Sequence, residues 1–300
     1  MKKIACIFIR MKESEHISIR CADQSEIAAT LYTPDQVRAA IMIAPATGIR
    51  RPFYSAFAQY LAENGYGVIT FDNSGIGGSL KGHIRHSKAS LQRWGEIDMP
   101  AVLEALKAYF PGTTYHLVGH SAGGQLAGLM HNANELSSMF NFACSSGCIA
   151  NMQPPFWYQA IFFMNVFIPV NNFLFGYTNA QWMNMGEPLP KMVAQQWKEW
   201  CNGSGYVKTA LGKTIHRHLY DELDLPSFWL NATDDDIAND KNVDDMIRVY
   251  TRIKAQRLVL HPEKYGMKEI GHMKFFSKTS KETLWPIAFD WFNRFQREAR

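Results

Sequence analysis

Two periodicities alternate along the chain: short apolar runs rich in β-branched residues, and longer stretches in which apolar residues return every three or four positions. The first kind reads as strands and the second as amphipathic helices. Strands are predicted at 16–21 (HISIRC), 26–32 (EIAATLY), 39–44 (AAIMIA), 66–71 (YGVITF), 115–119 (YHLVG), 139–145 (MFNFACS), 227–232 (SFWLNA) and 256–261 (QRLVLH). Helices are predicted at 54–63, 95–109, 122–131, 241–254 and 281–297. Strands alternating with helices build a mostly parallel sheet covered on both faces. The predicted fold is therefore α/β, a doubly wound sheet of eight strands. The first two strands have no helix between them and are expected to pair antiparallel.

One segment breaks this rhythm. From Leu136 to Gly186 there is no Asp, Glu, Lys or Arg, and residues 156–182 are dense in aromatics. Asn165, Pro169, Asn171 and Asn172 cut the apolar run into pieces far short of the roughly 20 residues that a transmembrane helix needs. The segment is predicted as a helical cap at 150–215, inserted between core halves at 1–149 and 216–300. So small an insertion cannot bury all its large side chains internally. Phe156, Trp157 and Phe163 are therefore expected to line a substrate cleft or a partner surface, with contact to a membrane left open.

Composition changes this picture little. Apolar residues make up 47% and charged residues 19%, an ordinary globular balance. A net charge of +4, with Lys and Arg scattered except for a loose tract at Lys81–Arg93 holding His83 and His86, leaves no footprint for nucleic acid. The five cysteines, Cys6, Cys21, Cys144, Cys148 and Cys201, are odd in number and lack a framework spacing, which suits free thiols in the cytoplasm. Arg10 and Lys12 cut the opening apolar run below the length of a signal peptide, and Met11 is an alternative start.

No cofactor or metal is expected. GIGGSL (75–80) has Leu80 where a dinucleotide fingerprint needs its third glycine, and Val207 stands where a P-loop ending in GKT (212–214) needs its first. Cys144 with Cys148, and His83 with His86, lack a second pair at zinc-site spacing. The sequon at Asn231 ends a predicted buried strand.

The stretch VGHSAGGQL (118–126) carries the candidate chemistry. A predicted strand ends here, a helix begins, and Ser121 stands between them with Gly119 two residues before and Gly123 two after. A strained turn of this kind needs small neighbours, and it presents the hydroxyl to a cleft at the positive end of the following helix. The chain resembles the α/β-hydrolases, with Gly119-His120-Ser121-Ala122-Gly123 as the nucleophile elbow. FDNSGIGGS (71–79) is similar to the D-x-x-G-x-G-x-S loop that follows the fourth strand of that family.

The resemblance implies a Ser-Asp-His triad, each member following a strand. TDDDIAND (233–240) offers Asp234, Asp235 and Asp236 as the acid. The family places its acid two residues before an aliphatic one, which favours Asp235 before Ile237. EIGHMKFF (269–276) supplies His272 as the base, with His261 as the alternative. The oxyanion hole would combine the Ala122 N–H with one from APATGIRR (44–51), where Pro45 has no N–H and Ala46, favoured by register, or Thr47 must donate. The implied activity is that of a serine hydrolase acting on a small acyl substrate with an apolar part, a carboxylester first. Peptidase, thioesterase or acyltransferase activity, or a non-catalytic binding role, would use the same scaffold. A monomer or a homodimer is expected.

Overall fold

The computed structural model describes residues 14–295. Cys6, the opening residues 1–10 with Met11, and the final positions of the helix expected to reach 297 lie outside that range.

Among the described residues there are ten strands: β1 Glu15–Arg20, β2 Glu26–Tyr32, β3 Ala39–Ala44, β4 Tyr66–Phe71, β5 Tyr115–His120, β6 Ser138–Phe142, β7 Tyr177–Thr178, β8 Leu189–Pro190, β9 Pro226–Ala232 and β10 Lys254–Leu260. Eight of them form one sheet in the order β1-β2-β4-β3-β5-β6-β9-β10, while β7 and β8 pair separately. β1 runs antiparallel to β2, as its missing crossover helix implied, and β2 antiparallel to β4. The remaining pairs are parallel. β3 and β4 are buried along their whole length, and this is why they read as unbroken apolar runs. The parallel strands end on one edge, so the loops after β3, β5 and β9 emerge side by side.

The helices are α1 Ser55–Glu63, α2 Leu91–Arg93, α3 Met99–Tyr109, α4 Ala122–Gln125, α5 Phe156–Phe162, α6 Ile168–Leu174, α7 Lys191–Cys201, α8 Asp240–Ile247 and α9 Trp285–Asn293. A π-turn at Trp94–Asp98 joins α2 to α3, and another at Phe163–Phe167 joins α5 to α6. None of these helices is long and apolar enough to cross a membrane.

Several boundaries differ from the sequence expectation; the helix expected over 241–254 ends at Ile247, and Lys254 already opens β10. Three others have identifiable reasons. The helix expected from 95 starts at Leu91, because the Ser90 hydroxyl caps it by accepting the Arg93 N–H at 3.0 Å. The helix expected over 122–131 stops at Gln125. The Tyr250 and Tyr220 hydroxyls donate to the Gly124 and Gln125 carbonyls, each at 2.6 Å, taking acceptors that a continuing helix would give to its own N–H groups. The last helix begins at Trp285, with Pro286 in its first turn, where proline's missing N–H costs nothing.

The FDNSGIGGS loop braces the sheet. The Asp72 carboxylate accepts the Arg51 N–H at 2.6 Å and the Gly78 N–H at 2.9 Å, and it pairs with the Arg51 guanidinium. Ser79 Oγ donates to the Asp72 carbonyl at 2.6 Å and accepts the Ala28 N–H at 2.8 Å. This ties β2 and β4 to the loop that follows β3.

Candidate active site

Ser121 follows the last residue of β5 with φ 49° and ψ −114°, a left-handed backbone that costs a non-glycine residue about 1–3 kcal/mol. Its N–H donates to the Phe142 carbonyl at 2.9 Å and anchors the strained residue to β6. The flanking glycines are required by close approach. A Cβ on Gly119 would lie 2.5 Å from Gly124 Cα, and one on Gly123 would lie 2.1 Å from the Ala44 carbonyl oxygen. The result is a hydroxyl held at the wall of a 130 Å³ cavity whose lining includes Thr47, Ser121, Gln125, Met185, Trp197 and His272.

Asp235 is buried at the end of β9. Its Oδ1 accepts the Ile237 N–H at 2.9 Å and the Ala238 N–H at 2.8 Å, while Oδ2 stands 2.8 Å from His272 Nδ1. A carboxylate accepts only, so His272 carries its proton on Nδ1 and leaves the Nε2 lone pair free. No hydrogen bond joins Ser121 Oγ to His272 among the described residues, although both groups line the same cavity. Asp234 accepts the Ile270 and Gly271 N–H groups at 2.9 and 3.0 Å and so clamps the loop that carries His272. Burial, then the neighbouring Asp235 and Asp234, raise the carboxyl pKa of Asp236 above the usual range. His261 pairs with Glu263 at 3.6 Å and takes no part in lining the cavity.

A second histidine, unmarked by sequence reasoning, connects the two sides of the site. His120 Nε2 lies 2.9 Å from the His272 carbonyl oxygen, and Nδ1 lies 2.9 Å from Tyr54 Oη. A carbonyl can only accept, so Nε2 carries the proton of the neutral ring and Tyr54 must donate to Nδ1. Tyr54 Oη in turn accepts the Ala46 N–H at 2.9 Å. Every donor in this chain has one acceptor, and it ties the loop after β3 to the loop of His272. It also corrects one expectation. The Ala46 N–H is consumed inside the core, so it cannot serve an oxyanion, whereas the Thr47 and Ala122 N–H groups have no acceptor among the described residues.

Burial pushes His120 and His116 down to about 3. In an unfolded chain both titrate near 6.5, so above that pH their neutral-state stabilisation is fully present. As the pH falls from about 6.5 toward 3, only the unfolded chain gains protons, and each group then withdraws up to about 5 kcal/mol. Urea unfolding measured across this range should show stability declining from just below pH 6.5. A plateau maintained down to pH 5 would contradict the assignment.

Phe156 and Phe163 line a smaller 60 Å³ cavity, which shares Gly147, Met185, Trp197, Cys201 and Ile237 with the first. Trp157 does not line either cavity. One residue further along the helix it turns about 100° away, and its ring packs edge-on against Tyr158 at 5.0 Å. Trp197 and Cys201 come from α7, which sequence reasoning did not place. A signal existed in KMVAQQWKEWC, where Val193, Ala194, Trp197, Trp200 and Cys201 repeat at helical spacing.

Residues 35–265 match the family described as serine aminopeptidase, S33. No curated protein matches the chain. Among solved structures, the chain is similar to the esterase Pf2001 of Pyrococcus furiosus, at 14% identity and TM-score 0.60, covering 95% of this chain and 92% of that one. The mouse α/β hydrolase domain-containing protein 10 matches at 14% identity and TM-score 0.59, covering 94% of this chain and 100% of its own. An esterase from Thermogutta terrifontis matches with the same identity, TM-score and coverages. These likenesses show the shared fold. The family match spans most of the chain, which therefore belongs to the serine aminopeptidase S33 family of the α/β-hydrolase superfamily and is a hydrolase.

Proposed function

We propose that the protein is a serine esterase that cleaves a carboxylester with an apolar acyl part. Ser121 Oγ attacks the ester carbonyl carbon as its proton passes to His272 Nε2, and the carbonyl π pair moves onto oxygen. The Ala122 and Thr47 N–H groups hold that oxyanion. Asp235 keeps the His272 tautomer correct and stabilises the imidazolium. Collapse expels the alcohol, which takes the proton from His272. Water then attacks the acyl-enzyme by the same route, releasing the carboxylic acid and restoring Ser121. Residues 150–215 form the cap between core halves 1–149 and 216–300, and Asn184, Met185, Gly186, Trp197 and Cys201 are its contribution to the cavity.

The observation that carries this reading is the chemistry of the cavity wall. Apart from His272, no titratable acid or base other than the Cys201 thiol lines the cavity, and the adjoining pocket is walled by methionine and aromatic side chains. Neither lining offers a carboxylate to pair with the free ammonium of an aminopeptidase substrate. An uncharged chain fits both.

A series of p-nitrophenyl esters tests the proposal. Each methylene that enters the apolar pocket is worth about 0.8 kcal/mol, so kcat/KM should rise about fourfold per added carbon until the pocket is full. A flat profile, or faster cleavage of amino-acyl p-nitroanilides than of any ester, would reject an apolar acyl site. Failure of a fluorophosphonate to label Ser121 would instead favour a binding protein that retains the elbow.

A further inference from the structure

The helical run from Phe156 to Leu174 presents two apolar faces. Ala160, Phe163, Met164 and Ile168 are buried on one, whereas Tyr158, Phe162, Val166, Val170, Phe173 and Leu174 are exposed on the other, Phe173 to 87%. A four-residue step overshoots a full α-helical turn by about 40°, so a series of this spacing winds around a straight helix. The wider π-turn at Phe163–Phe167 offsets that drift between α5 and α6 and keeps the exposed positions in one stripe. Uncovered apolar surface of this extent marks an interaction site.

What covers it can be read from its border. Beyond Leu174 the aromatic surface continues through Phe175, whose ring lies 5.8 Å from that of Trp182 and 6.2 Å from that of Tyr177. Trp182 is 61% exposed. The Tyr177 ring meets His83 at 6.0 Å, and the Arg85 side chain stands beside Gly176. Thus the basic tract adjoins the end of the stripe, with Lys81, Arg85 and Lys88 all exposed and in no ion pair among the described residues. An apolar stripe with Trp and Tyr at its edge and cations beside them has the chemistry of a bilayer interface. A second copy of the chain would bring the same stripe and the same cations, with no acid anywhere between residues 136 and 186 to meet them.

We propose that this face docks onto anionic phospholipid bilayers, with Phe173 and its neighbours entering the boundary between headgroups and acyl chains while Lys81, Arg85 and Lys88 meet the lipid anions. Phe156 and Phe163 of the same run line the apolar cavity, so docking holds that cavity close to the lipid. The inference is independent of the serine chemistry.

Flotation of the full chain with phosphatidylcholine vesicles, with and without phosphatidylserine, tests it. The protein should float with the anionic vesicles and more weakly with the neutral ones, and high salt should reduce the difference. Phe173→Asp should lower partitioning about tenfold or more for both. Lys81→Gln, Arg85→Gln and Lys88→Gln should each lower it about fivefold, for the anionic vesicles only. Turnover of a short water-soluble ester, or for an inactive protein the far-UV circular dichroism, should match wild type in all four variants. A protein that stays in the aqueous phase with both vesicles overturns the proposal. So does a dimer, seen by light scattering, that Phe173→Asp splits while nothing floats.

Discussion

Replacing Ser121 with alanine is expected to lower ester turnover by about six orders of magnitude while leaving the protein folded. The two halves of that expectation have separate causes. The hydroxyl is the only group removed, and its loss deletes the proposed nucleophile, leaving only binding and the oxyanion donors to accelerate attack by water. The fold should survive because the substitution keeps the Cβ, so the strain at φ 49° is the same in both proteins. The hydroxyl also makes no hydrogen bond among the described residues that folding would lose. Unfolding free energies of the two proteins should therefore agree to within about 0.5 kcal/mol, the range of changes that touch no special feature. Turnover assays, circular dichroism and fluorophosphonate labelling together check this. A folded alanine variant that still turns over esters would show that another residue attacks the carbonyl.

The sequence made parts of this site legible because those parts depend on local rules. β3 and β4 could be found from their apolar runs, since a strand buried on both faces has no polar alternation to hide it. The elbow could be found because Gly119 and Gly123 mark where backbones approach too closely for any side chain. What stayed hidden depends on partners remote along the chain. The length of α4 is decided by hydroxyls from Tyr220 and Tyr250, more than ninety residues downstream, and no periodicity within 122–131 could announce them. The Ala46 N–H looked available because Tyr54, which consumes it, reads as one more residue at the start of a helix. The role of His120 was masked in the same way. Its position before the serine was plain, but the Tyr54 hydroxyl and the His272 carbonyl meet it only in three dimensions.

The three consecutive aspartates make a sharper test, because one loop offers the same carboxylate in three environments. Asp235→Asn is expected to lower turnover about ten-thousandfold with little change in KM. The backbone decides why. The Ile237 and Ala238 N–H groups both point at Oδ1, so the carbonyl oxygen of an asparagine must stay there and its NH₂ must face His272. An NH₂ group beside Nδ1 forces the imidazole to accept at Nδ1 and to carry its proton on Nε2. That nitrogen can then no longer take the proton from Ser121. Asp234→Asn should cost about tenfold to a hundredfold, because only one of the two N–H groups from Ile270 and Gly271 keeps an acceptor and the His272 loop shifts. Asp236→Asn removes no such contact and should leave turnover within a factor of about two, as surface changes usually do. Steady-state kinetics on the three purified variants would establish the ranking. If Asp236→Asn or Asp234→Asn proved the most damaging, the carboxylate that orients His272 during the reaction would not be the one that holds it in the resting structure.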